Sequence, residues 1–175
     1  MQPDLENIKN RVQLNRDLID RIMRHVPGFK GYVEKAELYD ADGVIRGFIG
    51  DRIQEMKDEL MSLSGDLVKR GEHSSVSELE SLNNKLERLY KKCKSLDFGK
   101  SASLSHAGIN DEDLNRLLEY DWRMISSADE IIPLVRKLST ADSGSLGAAI
   151  REVEGKLKDF EKSFDERKNV LLEVI

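Results

Sequence analysis

Residues 49–67 read IGDRIQEMKDELMSLSGDL, and the apolar members are Ile49, Ile53, Met56, Leu60, Leu63 and Leu67. Successive members stand 4, 3, 4, 3 and 4 residues apart. Because an α-helix turns once every 3.6 residues, this alternation stacks all six side chains in one stripe. A stripe so narrow is the seam of left-handed knobs-into-holes packing. The stretch therefore requires neighbouring helices to cover it.

The same spacing recurs on either side. Leu5, Ile8, Val12, Leu18, Ile19 and Ile22 predict a first helix over residues 4–25, ended by Val26-Pro27-Gly28. The second helix extends the opening stretch to residues 32–70, with Gly71 as its stop. Its glycines, Gly43, Gly47 and Gly50, fall at steps of four and three, which points to close helix approach or a bend. Leu79, Leu82, Leu86, Leu89, Cys93 and Leu96 predict a third helix over 75–97, with Ser75 and Glu78 spaced as a capping box. A connector follows over 97–109. Asn110 to Asp113 then caps a fourth helix, 110–139, whose apolar face runs from Leu114 to Leu138 and whose interior Pro133 should kink it or loosen a turn. After Ala141 to Gly144, a fifth helix over 144–174 carries Leu146, Ile150, Val153, Leu157, Phe160, Phe164, Leu171 and Val174. No segment alternates apolar and polar residues between hairpin turns, so no strand is needed. The expected fold is all-α: an elongated antiparallel bundle of about five helices with coiled-coil-like packing, in one domain spanning residues 1–175.

Composition agrees. Of 175 residues, 39% are hydrophobic, 35% charged and only 6% aromatic, a balance typical of long helices with solvated faces. The five Phe, four Tyr and one Trp leave little with which to line a cofactor pocket, so no cofactor is expected. Net charge is −5, with both signs spread along the chain, and no basic block is concentrated enough to displace counterions from a nucleic acid. The N-terminus lacks the apolar core of a signal peptide, and no run reaches the ~18 apolar residues that a membrane span requires. A cytoplasmic protein without a transmembrane segment is expected.

Chemistry is sparse. A di-metal carboxylate bundle needs Glu-x-x-His, yet Ile22, Arg70 and Ser103 precede His25, His73 and His106 by three. One cysteine and three histidines cannot assemble the Cys/His clusters of structural zinc. Cys93 falls in the apolar register, where a buried structural thiol is the simplest reading. There is no nucleophile elbow, phosphate loop or dinucleotide fingerprint. The sequence designates no catalytic, cofactor-binding or metal residue.

One segment departs from plain helical spacing. Pro27 to Glu37, continuing to Asp40, Asp42 and Arg46, sets two glycines around Phe29-Lys30 and then leads into a densely charged helix start. It reads either as an interhelix turn or as a partner-docking tip made by Phe29, Lys30, Tyr32, Glu34, Lys35, Glu37, Asp40 and Asp42. As a turn, it gives Asp42 and Arg46 an i,i+4 pairing worth a few tenths of a kcal/mol.

This segment also carries a resemblance. Gly28-Phe29-Lys30-Gly31-Tyr32, then Glu34-Lys35-Ala36-Glu37 and Asp40, are joined downstream by Asp97-Phe98-Gly99, Asn110 to Asp113 and Leu114 to Asp121. In these motifs the chain resembles a family of prokaryotic helical-bundle proteins to which no activity is assigned, over most of residues 20–170. It departs at Leu38-Tyr39, where the family usually has arginines, and at Lys100 and Ala102, which replace an aromatic and a glycine. The resemblance implies the same bundle and names no activity.

Two functional readings follow. The first, which the sequence favours, is a non-enzymatic scaffold or adaptor whose long faces bind a protein partner or another copy of itself; the seams at 49–67 and 146–174 could pair with each other or across chains. The second is a carboxylate-ligand metal protein or enzyme using Glu34, Glu37, Asp40 and Asp121.

Overall fold

The computed structural model describes residues 16–31, 35–95 and 111–174. Among them lie five helical segments and no strand: α1 over 16–25, α2 Lys35–Arg70, α3 His73–Lys94, α4 Asp111–Leu138 and α5 Leu146–Val174. No helix there is long and apolar enough to cross a membrane. The expected residues 4–15, the Asn110 cap and the 97–109 connector lie outside the described residues.

Why the long helices stop where they do is local chemistry. Gly71, at φ +77°, lets the Gly71 N–H reach the Val68 carbonyl and the Glu72 N–H reach that of Leu67, a Schellman motif. The reversal is so tight that α3 begins at His73, with Glu72 as its N-cap and no side-chain cap bond. The expected capping box at Ser75 is therefore not formed, because Ser75 already lies inside the helix. Between α4 and α5 the Asp142 carboxylate accepts from the Gly144 and Ser145 N–H groups at 3.0 and 2.8 Å. Those bonds, the Ser145 backbone first, hold its pKa below the ordinary carboxylate value. Pro133 lies within α4, which continues through it to Leu138, and its ring is exposed.

Both seams are consumed inside the chain. Ile49, Ile53, Met56, Leu60, Leu63 and Leu67 are all buried, as are Leu146 through Phe164 at the expected positions and Leu171. They meet Leu79, Leu82, Leu86, Leu89 and Cys93 of α3 and the inner face of α4 in one cluster. Of the two pairings open to the seams, with each other or across chains, the one within the chain is formed: four helices of similar length cover one another's stripes. The close approach expected at Gly43, Gly47 and Gly50 is likewise absent at the first two, which have no atom within 4 Å of a notional Cβ. At Gly50 it is the Lys94 side chain, not a helix backbone, that fills the gap.

Ion pairs fix helix directions. Lys57 of α2 meets Glu87 of α3 while Asp51 meets Lys94, so these helices are antiparallel. Asp121 with Arg167 and Glu130 with Lys156 show the same for α4 and α5. By contrast Lys85 meets Glu154 and Lys92 meets Glu161, both rising together, so α3 and α5 run parallel. Arg52 with Asp129, and Glu55 and Glu59 with Arg136, make α2 and α4 parallel too. The bundle is thus two antiparallel hairpins laid side by side, α2 against α4 and α3 against α5, with α3 and α4 at opposite corners. Helix α1 lies over the α2/α4 side, where His25 meets the Trp122 ring edge-on at 5.0 Å and Ile22, Val26 and Phe29 enter the core.

Candidate functional site

Four charged side chains are buried among the described residues: Asp42, Arg46, Asp121 and Arg167. They form one chain of ion pairs near the end where α2 and α4 begin. Arg46 Nε donates to Asp42 Oδ2 at 2.7 Å, and its Nη1 donates to the Cys93 and Ser95 carbonyls at 3.0 Å each. Those carbonyls close α3, so Arg46 caps that helix with a charge of the sign its dipole favours. Arg167 of α5 donates Nη1 to Asp42 Oδ1 at 2.7 Å and Nε to Asp121 Oδ1 at 2.5 Å. Asp42 therefore serves both arginines, each through a different oxygen, and every one of α2 to α5 contributes.

Each carboxylate here is engaged by a guanidinium, which is what permits charge in a core that would otherwise expel it. The same arrangement makes the cluster unsuited to acid–base or metal chemistry. Each arginine repels a second cation. Among the described residues no group of three or more His, Cys, Asp or Glu side chains is placed to share a metal ion. Of the four carboxylates considered as a ligand set, Asp121 is fully buried on Arg167 while Asp40 is exposed. Glu34 lies outside the described residues, and of Glu37 only the helical backbone is described.

The docking tip fares unevenly. Lys30 and Asp40 are exposed. Phe29, however, is buried in the core, and Asp42 is the centre of the ion-pair chain, so neither presents itself to a partner. Burial wins at Asp42 because α5 brings Arg167 to it across the bundle, a contact 125 residues away in sequence. The expected Asp42–Arg46 pair exists but belongs to the interior, not to a solvated helix face. Tyr32 lies outside the described residues, and nothing is described of the Lys35 side chain.

Cys93 is buried as expected, and burial pushes its thiol up to about 12, far above a reactive range. His25 is exposed at the end of α1, its Nδ1 2.9 Å from the Arg21 carbonyl.

Three surface depressions follow helix boundaries. One, of about 620 Å³, is lined by His25, Pro27, Val44, Gly47, Phe48, Asp51, Arg52 and Glu55 beneath the end of α1. A second, of about 110 Å³, lies between α2 and α3 beside the exposed Met61 and contains Asn83, whose Oδ1 is buried without a partner. The third, of about 410 Å³, separates α3 from α5. Its edge is laced by Lys85–Glu154 at 2.7 Å and by Lys92 with Glu161 at 2.8 Å and Asp165 at 3.1 Å. Burial alone would lower the Lys92 pKa, but the two carboxylates more than offset this and hold it above its ordinary value.

No protein-family model, curated protein or solved structure matches the chain.

Sequence reasoning missed Asp121 and Arg167 as a pair, although a signal existed. The α5 stripe steps Leu157, Phe160, Phe164 and then Leu171, so its spacing demands a core residue at 167, which is arginine. The α4 stripe likewise passes from Leu117 and Leu118 to Ile125 over Asp121. Opposite charges filling the gaps of two stripes mark a buried pair.

Proposed function

We propose that this protein is a non-enzymatic helical scaffold or adaptor that binds a protein partner through its outer faces. The observation that carries the reading is the internal neutralisation of Asp42, Arg46, Asp121 and Arg167. The buried charges among the described residues pair with one another and, through Arg46, with the α3 C-terminus. A catalytic bundle uses such inward-facing carboxylates on a metal or substrate instead. The depressions are open and follow the helix boundaries, which suits docking of another polypeptide. The resemblance to a family of bundles without an assigned activity agrees with this reading. So does a cytoplasmic address, which the lack of a membrane-spanning helix among the described residues permits.

Two measurements on the purified full chain test it. A tagged chain returned to its native lysate should recover one protein, or a second copy of itself, in stoichiometric amount. Elemental analysis of the same preparation should find no stoichiometric metal. A monomer that recovers nothing and carries about one metal per chain would overturn the proposal in favour of the carboxylate-ligand reading.

A further inference from the structure

Among the described residues, the parallel pair α3 and α5 stands apart over an open groove flanked by cations. Lys85 and Arg88 of α3 face Arg151 and Lys158 of α5, above Leu89 and Leu157. Lys85 is held by Glu154, and Glu161 is held by Lys92. Arg88, Arg151 and Lys158 are exposed, and none has a carboxylate within ion-pair distance among the described residues. In a chain of net charge −5, a groove lined by four cations, Lys85, Arg88, Arg151 and Lys158, against two acids, Glu154 and Glu161, is a local reversal of sign.

Its layout also matters. Arg151 and Lys158 are seven residues apart on α5, roughly 10 Å at the helical rise of 1.5 Å per residue. Between them sits Gly155, where no atom lies within 4 Å of a notional Cβ, so the wall is notched midway. Glu154 and Glu161 occupy the same rim. A nucleic-acid backbone, with a charge at every phosphate, would meet those acids as well as the cations. A polypeptide can space its carboxylates and place an apolar side chain between them.

We propose that the α3/α5 groove binds an acidic polypeptide segment, with two carboxylates on Arg151 and Lys158 and an apolar side chain in the Gly155 notch. This rests on the adaptor reading and names the chemistry of its partner. Arg88, opposite, supplies a guanidinium able to take a carboxylate with two parallel hydrogen bonds.

The test is fluorescence anisotropy of the full chain with short synthetic peptides in which Asp or Glu flank a central Leu at varied spacing. Peptides with Lys in place of the acids, a single-stranded oligonucleotide and inorganic pyrophosphate serve as comparisons. Members of the acidic set should bind, with affinity falling steeply as salt rises above about 0.1 M, where the screening length drops to ~10 Å. Arg151→Glu with Lys158→Glu should weaken binding at least about tenfold. Gly155→Leu, which fills the notch and leaves charge unchanged, should weaken it comparably while far-ultraviolet circular dichroism stays that of the wild type. Should either variant unfold, Arg151→Gln and Gly155→Ala give the same comparison with milder changes. The inference is overturned if no acidic peptide binds above the lysine set, if the oligonucleotide or pyrophosphate binds equally well, or if the folded variants bind like wild type. A partner recovered from lysate undiminished by all of these variants overturns the groove assignment and leaves the adaptor reading standing.

Discussion

Replacing Arg167 by methionine preserves much of the side-chain volume and removes its bonds to Asp121 and Asp42. Asp121 is fully buried and loses a 2.5 Å bond from Nε; Asp42 is 3% exposed and loses a 2.7 Å bond from Nη1 but retains Arg46. Breaking one partner out of a buried pair typically costs about 3–5 kcal/mol, because it strands an uncompensated charge. In a chain of this length that corresponds to a fall in Tm of roughly 6–20 °C. The double variant Asp121→Leu with Arg167→Met removes the stranded charge as well and should recover most of that loss. Urea titrations at neutral pH, for wild type, single and double variants, decide the matter. A single variant within 1 kcal/mol of wild type at neutral pH, or a double variant as damaged as the single, would refute the claim that this cluster is a buried, mutually dependent unit.

Three further outcomes follow from the same structure. Leu60→Ala and Leu157→Ala, at positions 1% and 2% exposed, should each cost about 2–5 kcal/mol in denaturant titration, and losses below 1 kcal/mol would mean that the seams are not core. Asp142, whose pKa is held below 3.8 by the Ser145 and Gly144 bonds, contributes stability that is present at neutral pH and lost as pH falls through its folded pKa. Asp142→Ala should therefore lower Tm at pH 7 and lose that difference in strong acid, as thermal scans across the range would show. Cys93, buried with its thiol pushed up to about 12, should not react with an aromatic disulfide reagent at pH 8 until denaturant is added, and prompt reaction of the native chain would contradict its burial.

The fold was legible because its signal is repeated. Each of the four long helices carries at least five apolar residues at steps of three and four, and such periodicity survives the loss of any single position. Helix ends were less legible. Ser75 and Glu78 have the spacing of a capping box, but the glycine reversal at Gly71 starts the helix two residues earlier, and only the three-dimensional turn decides between them. The docking segment was misjudged at Asp42 for a related reason. Locally, Asp42 and Arg46 look like a surface pair four residues apart. What buries them is Arg167, reached through a contact that no local pattern announces. The gaps in the α4 and α5 stripes at Asp121 and Arg167 were visible, but a gap reads as an ordinary polar interruption until two of them are brought face to face. The α3/α5 groove was beyond reach, since it depends on two helices being parallel neighbours. That neighbourhood follows from pairs such as Lys85–Glu154 and Lys92–Glu161 rather than from chain order.

On the proposed function, a buried ion-pair cluster helps hold four helices together and the exterior meets a partner. Partner recovery by two folded variants, compared with wild type in one experiment, tests that division most directly. Asp121→Leu with Arg167→Met alters only the interior and should recover the partner in proportion to its folded fraction. Arg151→Glu with Lys158→Glu alters only the α3/α5 rim and should lose the partner while its Tm stays close to wild type, as exposed substitutions generally shift stability by less than about 0.5 kcal/mol. The reverse pattern, a fully folded interior variant that recovers nothing beside a rim variant that recovers everything, would contradict the account and place function in the buried cluster.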